Sequence, residues 1–84
     1  MIRYTVTWHR DAEQDLASLW ISATDRKDIA EAVQAIDLAL SNASGSIGDE
    51  VAEGLYSLNA PPLRVLFIIR ETDCVVEVEV VRRI

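Results

Sequence analysis

The sequence predicts an α+β domain of order β-α-α-β-β-β, a helical hairpin packed on one face of a small antiparallel sheet. Three observations predict it. Apolar residues alternate at period two from Ile2 to Trp8. They fall at helical spacing from Ala12 to Leu40, and they return to period two after Val51 in segments parted by short turns. A helix pair on one side of a sheet buries the apolar side of both layers.

The elements follow in order. Ile2, Tyr4, Val6 and Trp8 alternate with Arg3, Thr5, Thr7 and His9, which reads as a strand with one buried face. Ala12, Leu16, Leu19, Trp20 and Ala23 then mark a first helix. Asp11, Glu13 and Asp15 lie at its start, where acids favour the positive end of the helix dipole. Ser22 to Asp25 reads as a break, with Thr24 or Asp25 capping a second helix. That helix carries Ile29, Val33, Ile36 and Leu40 on one stripe, with Ala32, Ala35 and Ala39 beside it for close packing. Ser41 to Asp49 reads as a loop. Val51 to Leu58 is expected as one strand containing Gly54, and Asn59 to Pro62 as a turn, since proline donates nothing to a ladder. Leu63 to Arg70 is expected as a central strand, Glu71 to Asp73 as a tight turn, and Cys74 to Val81 as the last strand. Short turns make these strands an antiparallel meander.

Length and composition bound the rest. Eighty-four residues make one domain, expected to span 1–84. Half of the residues are apolar, enough for a core and too many for a disordered chain. A chain of this size buries only about 60% of its unfolded surface, so a partner chain would add to its stability. One cysteine and one histidine exclude an intrachain disulfide and are too few for a metal cluster, and no cofactor fingerprint is present. The opening lacks the apolar stretch of a signal peptide, and the longest apolar run, Val65 to Ile69, is too short to cross a bilayer. A cytoplasmic location without membrane contact is the expectation.

The net charge of −6 is unevenly placed. Residues 1–53 carry ten acids and four bases, and residues 54–84 carry four of each. Because nucleic-acid affinity comes largely from Lys and Arg displacing counterions, general binding of RNA or DNA is disfavoured. A local basic site on the neutral half stays open.

Strand alternation assigns Leu63, Val65, Phe67, Ile69, Val76, Val78 and Val80 to the helix-covered core. The opposite face then shows Arg64, Arg70, Glu77 and Glu79, and cross-strand Arg–Glu pairs are the plain reading of such residues. Arg64 stands apart, a lone guanidinium on a nearly apolar strand. It needs a carboxylate partner, for which Glu53 is the candidate, or an anion to bind.

Several local patterns, in this order and spacing, resemble the RelE/ParE family of toxin–antitoxin toxins. They are Tyr4-Thr5-Val6-Thr7-Trp8 with Asp11 to Leu16, Glu53 to Leu58, Leu63-Arg64-Val65-Leu66-Phe67, and Val76 to Arg83. The resemblance implies a toxin of a type II pair, neutralised by an antitoxin segment that wraps it. RelE-like members cleave mRNA on the ribosome, and ParE-like members inhibit DNA gyrase without cleaving RNA. Ribonuclease chemistry needs a base, cations on the phosphorane-like transition state and an acid for the leaving oxygen. By position, the resemblance makes Arg64 the contact to the scissile phosphate, Arg82 and Arg83 the basic end of the last strand, and Glu53 a candidate base. The chain ends Arg82-Arg83-Ile84 without the His or Tyr that such ribonucleases carry there, and its histidine is His9.

Three readings follow. They are an mRNA interferase, with Arg64, Glu53 and Arg82 or Arg83 converging on one concave face; a gyrase inhibitor; and a non-catalytic binding module, with Arg64 locked in a salt bridge. A sheet edge at the first or last strand would invite an added strand, and exposed apolar helix surface would serve an antitoxin or a homodimer.

Overall fold

A computed structural model describes residues 3–42 and 48–84. The expected loop from Ser41 to Asp49 lies mostly outside these residues, as do Ile2 and Ser46. The described chain runs β1 (Thr5–Trp8), α1 (Arg10–Ser22), α2 (Arg26–Ser41), β2 (Asp49–Ala52), β3 (Leu55–Ala60), β4 (Leu63–Arg70) and β5 (Val75–Arg83). The five strands lie in the order β1-β5-β4-β3-β2.

The α+β architecture and the helical hairpin are as the periodicity predicts. Two details of the sheet differ. The strand expected over Val51 to Leu58 is a hairpin, β2 and β3, folded at Glu53-Gly54. Gly54 holds φ +77, a left-handed turn conformation that glycine adopts without a steric penalty, and its N–H donates to Glu50 Oε2 at 3.1 Å. The second difference is direction. β1 pairs parallel with β5, Thr5 opposite Val75 and Trp8 opposite Val78, so the sheet is mixed. The remaining pairs are antiparallel, as the short turns require.

The helix boundaries follow local chemistry. His9 caps α1, its Nδ1 accepting from the Asp11 N–H at 3.1 Å. Arg26 closes the other end, donating from Nε to Trp20 O at 2.9 Å and from Nη2 to Ile21 O at 3.1 Å. Asp25 is the N-cap of α2, but its carboxylate makes no cap bond. The turn before β5 takes in Cys74, which has φ +52 and so belongs to the turn and not to the strand.

The core lies between the hairpin and one face of the sheet. Ala12, Ile29, Ala32, Ile36 and Leu40 from the helices meet Leu63, Val65, Phe67, Val76, Val78 and Val81, all buried. Val81 stands where alternation predicts Val80. A bulge explains the exchange: Leu66 pairs with Val80 but Phe67 pairs with Val78, leaving Glu79 as an extra residue. Beyond the bulge every side chain of β5 changes face relative to the simple alternation. Val80 lies on the uncovered side and is half-buried, and Arg82 and Arg83 exchange the faces that alternation gives them.

Candidate functional site

The sheet face away from the helices is built from alternate residues of β3, β4 and β5. Leu66, Ile68 and Val80 form a half-buried apolar centre, and Ser57, opposite Leu66, is buried beside them. Arg64 stands at one end of this face. Its cross-strand neighbours are Arg82 on β5 and Asn59 on β3. Directly opposed residues place their Cβ atoms about 5 Å apart, so the two arginine side chains leave the sheet from adjacent positions. Arg64 is exposed and has no hydrogen-bond or ion-pair partner among the described residues. The Arg64–Glu53 pair raised by the sequence does not form.

Glu53 is exposed, in the β2–β3 turn. Asn59 is the β3 residue opposite Arg64, and the turn lies beyond Leu55. At about 3.3 Å per residue, more than 13 Å of strand separates them. The expectation of Glu53 on a strand beside Arg64 fails because Gly54 folds that segment back.

The two C-terminal arginines are both engaged with helix carboxylates. Past Val78, β5 has no strand on its outer side among the described residues, because β1 has ended. Asp15 of α1 fills that edge. Its Oδ2 accepts from the Val81 N–H at 3.5 Å and from Arg82 Nη1 at 3.1 Å. Arg82 therefore bends around the sheet edge, while its Cα still faces Arg64. Arg83 projects to the helix side and grips Asp25 with both guanidinium nitrogens, at 3.1 and 2.5 Å. This bond holds the Asp25 carboxyl below its usual range and raises Arg83 above its own. It also explains the missing side-chain cap on α2. Of the four residues picked from the sequence, the fold brings Arg64 and Arg82 together and leaves Arg83 and Glu53 elsewhere.

The other end of the same face carries acids. Arg70 and Glu77 pair at 3.4 Å, the cross-strand arrangement the alternation predicts. Glu79, in the bulge, is pushed above the ordinary carboxylate range. Partial burial is the main cause, followed by repulsion from and a shared hydrogen bond with Glu77, while His9 and Arg70 pull weakly the other way. His9 lies at this end, its N–H donating to Val78 O at 2.8 Å. With Glu79 in the bulge, three ladder steps, about 10 Å, part the Val78–Phe67 pair from the Arg82–Arg64 pair.

The chain resembles several solved structures. A chain of the RelBE2 toxin–antitoxin complex from Mycobacterium tuberculosis superposes with a TM-score of 0.82 at 23% identity, covering 100% of this chain and 94% of that one. A chain of the chromosomal ParDE toxin–antitoxin system from P. aeruginosa gives a TM-score of 0.70 at 16% identity, over 100% and 99%. The isolated E. coli RelE toxin gives 0.62 at 15% identity, over 95% and 83%.

This chain has the RelE/ParE fold.

No family model and no curated protein matches the sequence, so the likeness is one of fold, in backbone geometry and element order. Within the RelE/ParE fold, sequence reasoning missed Asp15 and Asp25 as the partners of Arg82 and Arg83. Nothing local signals them, because 67 and 58 residues separate the pairs. The exposed apolar helix surface that the sequence suggests is an open groove between the two helices, lined by Leu16, Trp20 and Val33 among others. No helix among the described residues is long and apolar enough to cross a membrane.

Proposed function

We propose that the chain is the toxin of a type II toxin–antitoxin pair, acting in the cytoplasm by binding its target and not by cleaving RNA. The full-length likeness in fold to chains of toxin–antitoxin complexes supports the first part. One observation supports the second: Arg64, which the resemblance puts at the phosphate, has no carboxylate or imidazole in hydrogen-bond contact among the described residues. His9 lies beside Val78, Glu79 sits in the mid-strand bulge next to Val80 and is held toward Glu77, and Glu53 stands in a turn beyond reach. General acid–base catalysis requires groups within about 3 Å of the proton they move, or one water away. A ParE-like gyrase inhibitor fits this arrangement, since binding needs no acid–base pair.

A second reading is favoured by Arg64 itself. An exposed guanidinium without a carboxylate partner among the described residues is stabilised by an anion, and an RNA phosphate would serve. On this reading the protein is an mRNA interferase whose acid and base come from the ribosome or substrate.

Controlled expression separates the readings. The toxin assignment expects growth arrest on induction, relieved by co-expressing the product of the adjacent gene. Absence of arrest from folded, abundant protein would refute it. Arg64→Ala is expected to leave arrest in place on the binding reading and to abolish it on the interferase reading. Ribosome-dependent mRNA cleavage would select the interferase, and failed DNA supercoiling the gyrase inhibitor.

A further inference from the structure

Arg82 and Arg83 are neighbours in the chain, and each is held by a helix carboxylate, but the two bonds differ in kind. Arg83 grips Asp25 with two nitrogens, one on each oxygen, a bidentate pair that fixes both side chains. Arg82 reaches Asp15 through Nη1 alone, at 3.1 Å, and the same nitrogen also donates to Val81 O at 3.3 Å. Its Nε and Nη2 have no partner among the described residues, and its side chain is 66% exposed. Asp15 is the better anchored of the two. Its Oδ2 also accepts from the Val81 N–H at 3.5 Å, so the carboxylate keeps a backbone partner at the strand edge when the guanidinium leaves.

The position of Arg82 gives this single-nitrogen bond its consequence. Arg82 is the ladder partner of Arg64, so the two side chains start about 5 Å apart at Cβ. Arg64 is exposed and has no acidic partner among the described residues. One guanidinium is therefore open on the uncovered face, and a second starts beside it but is turned to the edge by a carboxylate. An anion seated on Arg64 competes with Asp15 for Arg82. Both competitors are oxyanions, and the planar donor fork of a guanidinium suits either. An exposed pair of this kind contributes little to stability, so exchanging one oxyanion for the other is a small step.

We propose that Asp15 is a latch on Arg82: it holds the guanidinium at the sheet edge in the free protein and yields it to a phosphate group bound at Arg64. The ligand class rests on the interferase reading, in which Arg64 contacts an RNA phosphodiester; the competition between Asp15 and the anion goes beyond it. The latch lowers the affinity of the face below what two open arginines would give, because only the released state offers both.

Nuclear magnetic resonance of the arginine Nε–H groups and the aspartate carboxyl carbons reads this exchange directly. The probes are a 2′-O-methyl tetraribonucleotide, which carries phosphodiesters and resists cleavage, and inorganic phosphate. At low salt the Arg64, Arg82 and Asp15 signals are expected to shift with one midpoint, while those of Arg83 and Asp25 stay in place. A response to the oligonucleotide alone makes the ligand a phosphodiester, and a response to both makes it any phosphate group. Asp15→Asn, which keeps an acceptor for the Val81 N–H, should bind about two- to fivefold tighter, the range an exposed ion pair supports. Removing a negative charge also favours any anion, so the gain is measured again in an Arg82→Ala background. A latch predicts no gain there, whereas a general charge effect persists. Circular dichroism confirms that each variant folds, and titration of the parent chain tests the latch without any variant. Shifts at Arg64 with Arg82 and Asp15 unmoved, no gain in Asp15→Asn, or a gain that survives Arg82→Ala would overturn the latch and leave the Arg64 contact standing. Binding by neither the parent nor Asp15→Asn would overturn the latch together with the reading on which it rests.

Discussion

Arg64 and Glu79 are the two residues of the sheet face whose ionic state the fold leaves least compensated. Arg64 faces Arg82 across the ladder and holds no carboxylate. Arg82 turns its guanidinium to Asp15 and Arg64 itself is exposed without a partner among the described residues, so Arg64→Ala should change stability by less than about 0.5 kcal/mol. A large loss of melting temperature in that variant would show that the guanidinium has a structural partner. Glu79 is the reverse case, a carboxyl that the fold prefers protonated. Its value in the folded chain lies above the ordinary 4.5, so the folded protein holds that proton more tightly than the unfolded chain. The associated stability is present below the unfolded value and is lost as pH rises through the folded one. Glu79→Gln should therefore melt higher than the parent at pH 7, with the gap closing toward pH 4. An unchanged gap across that range would place the cause outside titration. Asp25 runs the other way: the Arg83 bond lowers it from 3.8, so its contribution is present above that value and disappears as pH falls through the folded one. Arg64 was legible in the sequence as an odd cation on an apolar strand. Its lack of a partner was not, because that depended on where Glu53 fell.

At the scale of elements, periodicity carried most of the fold, and the failures have local causes. The helix stripes, the central β4 and the hairpin turns follow from spacing alone. A glycine inside the pattern from Val51 to Leu58 reads as part of one strand, whereas the positive φ of Gly54 makes it the corner of a two-strand unit. The β5 bulge is invisible in a run of valines and glutamates, since Val-Glu-Val-Glu-Val-Val alternates well in either register. Two isosteric substitutions test the bulge. Val81→Thr puts a hydroxyl into the core and should lower stability by about 1–3 kcal/mol. Val80→Thr, on the uncovered face, should change it by less than about 0.5 kcal/mol. Denaturant midpoints at unchanged slope would measure both, and equal effects would argue for unbroken alternation. The same bulge sends Arg83 to Asp25 and Arg82 to the Asp15 edge, so the candidate site depends on it.

For the whole molecule, the deciding quantity is the uneven charge. Two ion pairs tie β5 to the hairpin, Arg82–Asp15 and Arg83–Asp25, and exposed pairs of this kind contribute about 0–1 kcal/mol each. Against them stands a net charge of −6 on 84 residues, with ten acids before Gly54. Salt screens attraction and repulsion alike, and the Debye length falls from about 30 Å at 0.01 M to about 3 Å at 1 M. The two pairs are short contacts and lose only part of their small contribution. Repulsion among the unpaired acids acts over longer distances and is screened more completely. Adding salt should therefore raise the melting temperature, by a few degrees for a domain of this size. Scanning calorimetry between low and high NaCl at pH 7 measures it. A fall in melting temperature would mean that the β5 clamps outweigh the self-repulsion of the acidic half.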